Sequence, residues 1–177
     1  VNTTIKRIRQ RTVTIVASPE LVEWWTTPAG EDLINAVSAL SWTPADSLSS
    51  TAQLRRHYPD LTPEILNGTI DLVQARQRAV EKLGPASAHW FLTLAAVQQA
   101  TPYAVTHYRS RRLLSSDSTI AQPIHDATCS VGTEVAALVQ AGSTGELSGS
   151  DIDQARLAMA RHNVPTAAFQ EADCLHP

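Results

Sequence analysis

The chain has 177 residues, which is enough for one comfortable domain or for two small ones. Its hydrophobic content of 43% and its charged content of 18% exclude a disordered chain. A net charge of −3 excludes an overall electrostatic attraction to nucleic acid, so any such contact needs a local basic patch.

The first two thirds of the chain predict helices. Ser18-Pro19-Glu20 and Thr62-Pro63-Glu64 each place a capping hydroxyl before a proline at the first helical position, and Thr101-Pro102 repeats the pattern. Pro28-Ala29-Gly30 is expected to break the first helix. We therefore predict a first helix that starts at residue 19, a second over 31–40 and a third that ends near residue 57. Further helices are predicted over about 63–83, 86–92 and 102–114.

Apolar residues give the longest predicted helix a buried stripe. Leu66, Ile70, Val73 and Val80 are expected on one face, and Gly84-Pro85 ends the helix. The tryptophans are interpreted as core, although a base-stacking platform is an alternative; they are Trp24, Trp25, Trp42 and Trp90.

Residues 115–119 form a polar segment after which the pattern changes. Strands are predicted at 123–127, 146–150 and 167–172, with helices at 133–141 and 154–163 between them. This α/β alternation is typical of a Rossmann-like parallel sheet. We therefore predict an all-helical domain over 1–116 and a βαβαβ half-sheet over 117–177. An open sheet of this kind normally has about five or six strands, so we expect either a longer parent protein or self-association through the incomplete sheet.

A loop of small residues follows the first predicted strand. It runs Asp126-Ala127-Thr128-Cys129-Ser130-Val131-Gly132-Thr133-Glu134. Such a loop places backbone amides at the start of a helix, where they favour an anionic or polar ligand group. A dinucleotide site would have Gly-x-Gly-x-x-Gly, and only Gly132 fits, which argues against pyrophosphate binding. An ordinary strand–helix turn is the alternative.

Aspartates also stand at the ends of the second and third predicted strands. Asp151 lies 19 residues beyond Gly132, where a carboxylate can accept both hydroxyls of a ribose. Helix capping is the alternative, and it explains Asp153 best. Asp173 can accept a hydrogen bond from the exocyclic amine of adenine, with the Ala172 amide donating to the ring.

These motifs resemble those of class I S-adenosylmethionine-dependent methyltransferases. Asp126 to Gly132 is similar to the first motif of that family, Gly149-Ser150-Asp151-Ile152-Asp153 to the second and Glu171-Ala172-Asp173 to the third. Three upstream segments resemble a bacterial branch with a helical N-terminal domain: Lys82-Leu83-Gly84-Pro85, Phe91-Leu92-Thr93 and Gln99-Ala100-Thr101. That branch is similar in layout to trimethylguanosine synthase, and its longer members have a THUMP-like RNA-binding region.

The resemblance implies that S-adenosylmethionine is the cofactor and that RNA is the methyl acceptor. The implied cofactor-binding residues are Asp126, Thr128, Ser130, Gly132, Glu134, Asp151, Ile152, Ala172 and Asp173. Thr128 and Ser130 stand where the family has glycines. The family's Asp/Asn-Pro acceptor motif does not occur, so the catalytic residues are unknown and we expect the chain alone to bind cofactor without turnover.

Two other classes of protein stay open. The replaced glycines fit a non-catalytic, degenerate module for assembly or RNA binding, whereas the broken glycine pattern disfavours a nicotinamide-dependent oxidoreductase. Arg109, Arg111 and Arg112 could contact RNA phosphates, with a solvated helix end as the alternative.

The remaining polar residues predict no metal site. His107, His162 and His176 lack carboxylates at ligand spacing. Cys129 is interpreted as a small buried residue. The two cysteines indicate a reducing, cytoplasmic setting, and no apolar run is long enough for a membrane partner.

Overall fold

The computed structural model describes residues 17–115 and 122–175, so the predicted linker lies outside the described residues except for Ser115. The first described range is helical. Its helices are α1 (Pro19–Trp25), α2 (Pro28–Ser38), α3 (Ser47–His57), α4 (Pro63–Leu83), α5 (Leu94–Gln99) and α6 (Tyr103–Leu114), with a 3₁₀ turn at Pro85–His89 before α5.

Side-chain oxygens fix the starts of several of these helices. Ser18 and Thr62 accept hydrogen bonds from the amides three residues on, as predicted, and each is followed by proline. Thr27 caps α2 in the same way. The first helix does end, at Trp25, but Pro28-Ala29-Gly30 begins α2 instead of forming the break, so α2 starts three residues earlier than predicted. The reason is that proline has no amide to lose at the first helical position.

Three further helix predictions need correction. Thr101 does not cap α6, because Pro102 itself occupies the cap position and the helix begins at Tyr103 without a side-chain cap. The segment predicted as a helix over 86–92 contains only a 3₁₀ turn at Pro85–His89, and α5 begins after it, capped by Thr93. On α4 the buried face contains Leu66, Leu72 and Val73, whereas Val80 is exposed. Ala75 and Ala79 are buried instead, because small side chains allow the neighbouring segments to approach α4 closely.

The second described range forms a parallel three-stranded sheet with two crossover helices. Its elements are β1 (Ile124–Asp126), α7 (Thr133–Gln140), β2 (Leu147–Asp151), α8 (Gln154–Asn163) and β3 (Ala168–Glu171). The strand order is β1-β2-β3, with Asp126 opposite Gly149 and Asp151 opposite Glu171. This βαβαβ arrangement is consistent with part of a Rossmann-like methyltransferase fold. Association of two copies through the sheet remains a prediction.

The helical part packs directly on the α/β part. Val131 and Met159 belong to the same buried cluster as Trp25, Leu72 and the other core residues of the helices. Asn163, at the end of α8, accepts a hydrogen bond from the Phe91 amide (2.7 Å) and donates to the Phe91 and Val131 carbonyls (3.0 Å each). A domain boundary between 116 and 117 therefore stays a prediction.

Trp25 is almost completely buried and the other three tryptophans pack around the same core, as the core interpretation expected. The Trp25 indole nitrogen donates to the buried Thr69 hydroxyl (3.0 Å), which satisfies the polar atom that burial would otherwise leave unpaired.

Within residues 17–115 and 122–175, no helix combines the length and the apolar character needed to cross a membrane.

Candidate functional site

A cleft of about 550 Å³ lies at the carboxyl edge of the sheet, where β1 and β2 end. Ligands of open α/β sheets bind at this edge because the loops that follow the strands leave a crevice there. Lining residues come from the loop after β1, from the ends of β1 and β2, and from the helical part; they include Asp126, Thr128, Ser130, Glu134, Asp151 and Arg109.

The loop after β1 adopts a turn that favours glycine. The Cys129 amide donates to the Ser150 carbonyl (2.9 Å) and the Gly132 amide donates to the Cys129 carbonyl (2.8 Å). Ser130 has φ +50° and Gly132 has φ +84°. Ser130 thus has a left-handed backbone conformation at a position where the family has glycine. For a serine this conformation costs about 1–2 kcal/mol of stability.

Asp151 ties this loop to the end of β2. Its Oδ2 accepts from the Ser130 amide (2.9 Å) and its Oδ1 from the Asp153 amide (3.0 Å). An ionised carboxylate has about four acceptor positions, so two bonds leave capacity for ligand hydroxyls. Asp153 caps α8 by accepting from the Ala155 and Arg156 amides, which confirms the capping interpretation of Asp153.

The cleft is rich in carboxylates. Asp126 accepts from the Thr128 amide (3.1 Å). Burial raises the pKa of Asp126 above its ordinary value, and the nearby charges of Glu134 and Asp151 raise it further, whereas the Thr128 hydrogen bond and His125 act in the opposite direction. A cationic ligand group would relieve this crowding of negative charge.

Cys129 belongs to the loop after β1 and its side chain is buried, as the sequence predicted. Burial raises the pKa of its thiol to about 12, and the charges of Asp126 and Asp151 add to the effect. The thiol is therefore protonated at neutral pH and is a poor nucleophile. A side chain at Gly149 would meet the Cys129 Cβ at 2.7 Å, so the strand and the loop can approach only because residue 149 is glycine.

Residues of the third predicted motif are not among those that line the cleft, and neither are Gly132 and Ile152. Ile152 is 71% exposed, beside Asp151. The Ala172 amide donates to the Asp151 carbonyl (3.2 Å) as part of the strand pairing. The predicted Ala172 bond to adenine would therefore require that pairing to open. Asp173 is exposed, and its Oδ1 accepts from the Leu175 amide (2.9 Å).

Several cleft residues were not identified from the sequence. Arg156 forms an ion pair with Asp153 (3.4 Å) and reaches Ser130 Oγ (3.4 Å) and Gln99 Oε1 (3.2 Å). His125 bridges the hydroxyls of Ser148 (2.9 Å) and Ser150 (3.0 Å). Gln99 was noted only as part of the upstream resemblance and lies 57 residues before Arg156, so no local signal could have paired the two side chains.

The basic cluster on α6 is divided by the fold. Arg109 lines the cleft and pairs with Glu134 at 3.0 Å, whereas Arg111 and Arg112 are exposed in the last turn. Across residues 17–115 and 122–175 no group of His, Cys, Asp and Glu side chains is placed to hold a metal ion. His176 lies outside the described residues.

The fold is a parallel βαβαβ sheet with a cleft at its carboxyl edge, and known proteins were compared with this chain. The chain is 39% identical over 133 residues to uncharacterized S-adenosylmethionine-dependent methyltransferases from two strains of Mycobacterium tuberculosis, CDC 1551 and H37Rv. The match covers 70% of this chain but 34% of each relative, so the chain spans about a third of the length of these curated relatives.

This similarity supports the methyltransferase family that the motifs resemble, while the particular branch stays a prediction. No protein-family model matches the chain, and no solved structure matches it.

Proposed function

We propose that this chain forms the cofactor-binding part of an S-adenosylmethionine-dependent methyltransferase, with the nucleoside held in the cleft at the carboxyl edge of the sheet. The observation that carries the proposal is the hydrogen bond from the Ser130 amide to Asp151. It joins the glycine-like loop to the acidic end of β2, so that both predicted motifs line one cleft. The names of the two mycobacterial relatives support the same cofactor.

The described residues suit such a cofactor in charge and in shape. Asp151 retains acceptor positions for the ribose hydroxyls. Asp126, Glu134 and Asp151 surround the cleft with negative charge, which favours a ligand with an ammonium and a sulfonium group. Ile152 presents an exposed apolar side chain beside the ribose position, where the face of a base could pack.

The cofactor supplies an activated methyl group, so the protein's part is binding and alignment. Asp151 and the loop amides would fix the nucleoside, and the carboxylates would fix the cationic end. None of these residues is proposed as a catalytic residue.

RNA is proposed as the class of methyl acceptor. Exposed Arg111 and Arg112 at the end of α6 support it, since paired guanidinium groups suit phosphates. A filter-binding titration of the chain with single-stranded RNA is expected to lose most of its affinity in the double variant Arg111→Gln/Arg112→Gln. Equal binding by the variant and the original chain would contradict this role.

A non-catalytic module remains the second candidate, favoured by Thr128 and Ser130 in place of glycines and by the engaged Ala172 amide. The positive φ of Ser130 weighs against it, because the loop retains the backbone shape that glycine would give. A degenerate module would fold normally and bind no nucleoside cofactor.

The proposal is tested by calorimetric titration of the chain with S-adenosylhomocysteine, with NAD as the negative control. Saturable binding is expected, and Asp151→Asn is expected to weaken it at least tenfold because a neutral amide loses a charged acceptor. Asp32→Asn, an exposed aspartate on α2, is the matched control and should leave the affinity unchanged.

A folded chain that binds neither ligand would contradict the proposal and favour the non-catalytic module. Binding of NAD in preference to S-adenosylhomocysteine would instead favour the oxidoreductase.

A further inference from the structure

Arg109 faces the cleft from the helical part of the chain. It lies on α6, and its Nη1 donates to Glu134 Oε1 (3.0 Å) in the first turn of α7. Their side chains are 58% and 27% exposed, so the pair stands at the mouth of the cleft, not in the core. The pair places a positive group opposite the carboxylates that follow β1.

The other cleft arginine is already held by protein groups. Arg156 contacts Asp153, Ser130 and Gln99 through three different nitrogens. For the Arg109 side chain, the bond to Glu134 is the single hydrogen bond within residues 17–115 and 122–175. A guanidinium has five N–H donors, so Arg109 keeps a pair of donors for a bidentate bond to a carboxylate.

An exposed ion pair of this kind contributes little to stability, at most about 1 kcal/mol. The pair also places the positive Arg109 and the negative Glu134 side by side at the mouth of the cleft. An α-amino acid group has the complementary pattern, because its carboxylate is negative and its ammonium is positive. A nucleoside without an amino acid end would use neither charge.

Resting on the proposed function, we propose that Arg109 binds the α-carboxylate of the cofactor's amino acid end, while Glu134 and Asp126 face its ammonium group. The inference assigns Arg109 to cofactor specificity instead of to RNA. Arg111 and Arg112, which do not line the cleft, keep the proposed RNA contact.

Two ligands that differ in the amino acid end test the inference. S-adenosylhomocysteine and 5′-methylthioadenosine share the nucleoside and a neutral thioether, but the second has no carboxylate or ammonium group. Affinities of both are measured calorimetrically for the original chain, for Arg109→Gln and for Arg55→Gln, an exposed arginine on α3 that does not line the cleft. Urea unfolding of each variant is measured alongside.

Arg109→Gln is expected to weaken S-adenosylhomocysteine by about 10–100-fold, the range of a charged hydrogen-bonded contact, and to change 5′-methylthioadenosine by less than about twofold. Arg109→Lys should recover part of the loss, and Arg55→Gln should change neither affinity. Equal losses for the two ligands, or no loss for either, would overturn the inference while the proposed function stands. If the original chain bound neither ligand, the proposed function would fail and the inference with it.

Discussion

At the residue scale, the candidate site depends on groups held in unfavourable states. Ser130 adopts a left-handed backbone conformation, and Asp126 is a partly buried carboxyl among other negative charges. Both cost stability, and both lie on the loop that would approach a ligand. Proteins commonly retain such costs where binding requires them.

Ser130→Gly is expected to stabilise the chain by about 0.5–1 kcal/mol, because glycine accepts a positive φ without steric cost and its larger unfolded-state entropy offsets part of the gain. The measurement is the free energy of unfolding in urea. Ser143→Gly is the matched control: Ser143 lies in a loop without a positive φ, so glycine there should destabilise. A loss of stability in Ser130→Gly as large as in the control would show that the strain is absent.

Asp126→Asn is expected to increase stability at neutral pH while weakening nucleoside binding. The raised pKa means that the folded chain keeps the Asp126 proton to higher pH than the unfolded chain. The contribution of Asp126 to stability is therefore greatest at low pH and is lost as pH rises through the raised pKa. The gain should therefore vanish in acid, where both states carry the proton.

Unfolding free energies of Asp126→Asn and the original chain are compared from pH 3 to 7, with Asp32→Asn as the control. A variant that is less stable than the original chain at pH 7, or a difference that does not change with pH, would contradict the assignment.

At the element scale, the capping side chains fix where helices begin. Ser18, Thr62 and Asp153 were recognised from the sequence because a cap needs only a short side-chain oxygen two or three residues before an unpaired amide. The start of α2 was misjudged since proline and glycine were taken as a break. Val80 was wrongly predicted to be buried, because helical periodicity identifies the apolar face of a helix but not which part of that face other segments cover.

Asp153→Ala is expected to destabilise the chain by about 1 kcal/mol, the usual cost of losing a helix cap. Asp153→Asn retains an oxygen that can accept from the Ala155 and Arg156 amides and loses only the ion pair with Arg156, so it should cost less than half as much. Thermal unfolding followed by circular dichroism compares the two. Equal losses would assign the effect to the ion pair instead of the cap.

At the scale of the whole molecule, the helical part and the sheet share buried contacts. Asn163 links α8 to Phe91 and to the loop carbonyl of Val131, and Met159 packs in the core of the helices. Contacts of this kind couple the unfolding of the two parts. Because the helical part packs on the sheet, its residues Arg109 and Gln99 line the cleft.

Urea unfolding is expected to show one transition with the same midpoint in both parts. Tryptophan fluorescence reports the helical part, since the tryptophans are Trp24, Trp25, Trp42 and Trp90. Pulsed alkylation of Cys129 reports the sheet, in a Cys174→Ser background that removes the exposed thiol. Midpoints that differ by more than the experimental error would instead support separate domains divided near residue 116.

The sequence by itself determined the order of the elements, the main helix starts and the acidic residues at the strand ends, because periodicity, capping and loop composition are local. It predicted that Asp126 and Asp151 stand at the ends of two strands of one parallel sheet, and these strands pair side by side. Only the tertiary structure decided that Ser130 keeps a positive φ, that the Ala172 amide pairs with β2, and that Arg109 faces the cleft. Those outcomes depend on contacts between segments distant along the chain, for which a single sequence carries no local signal.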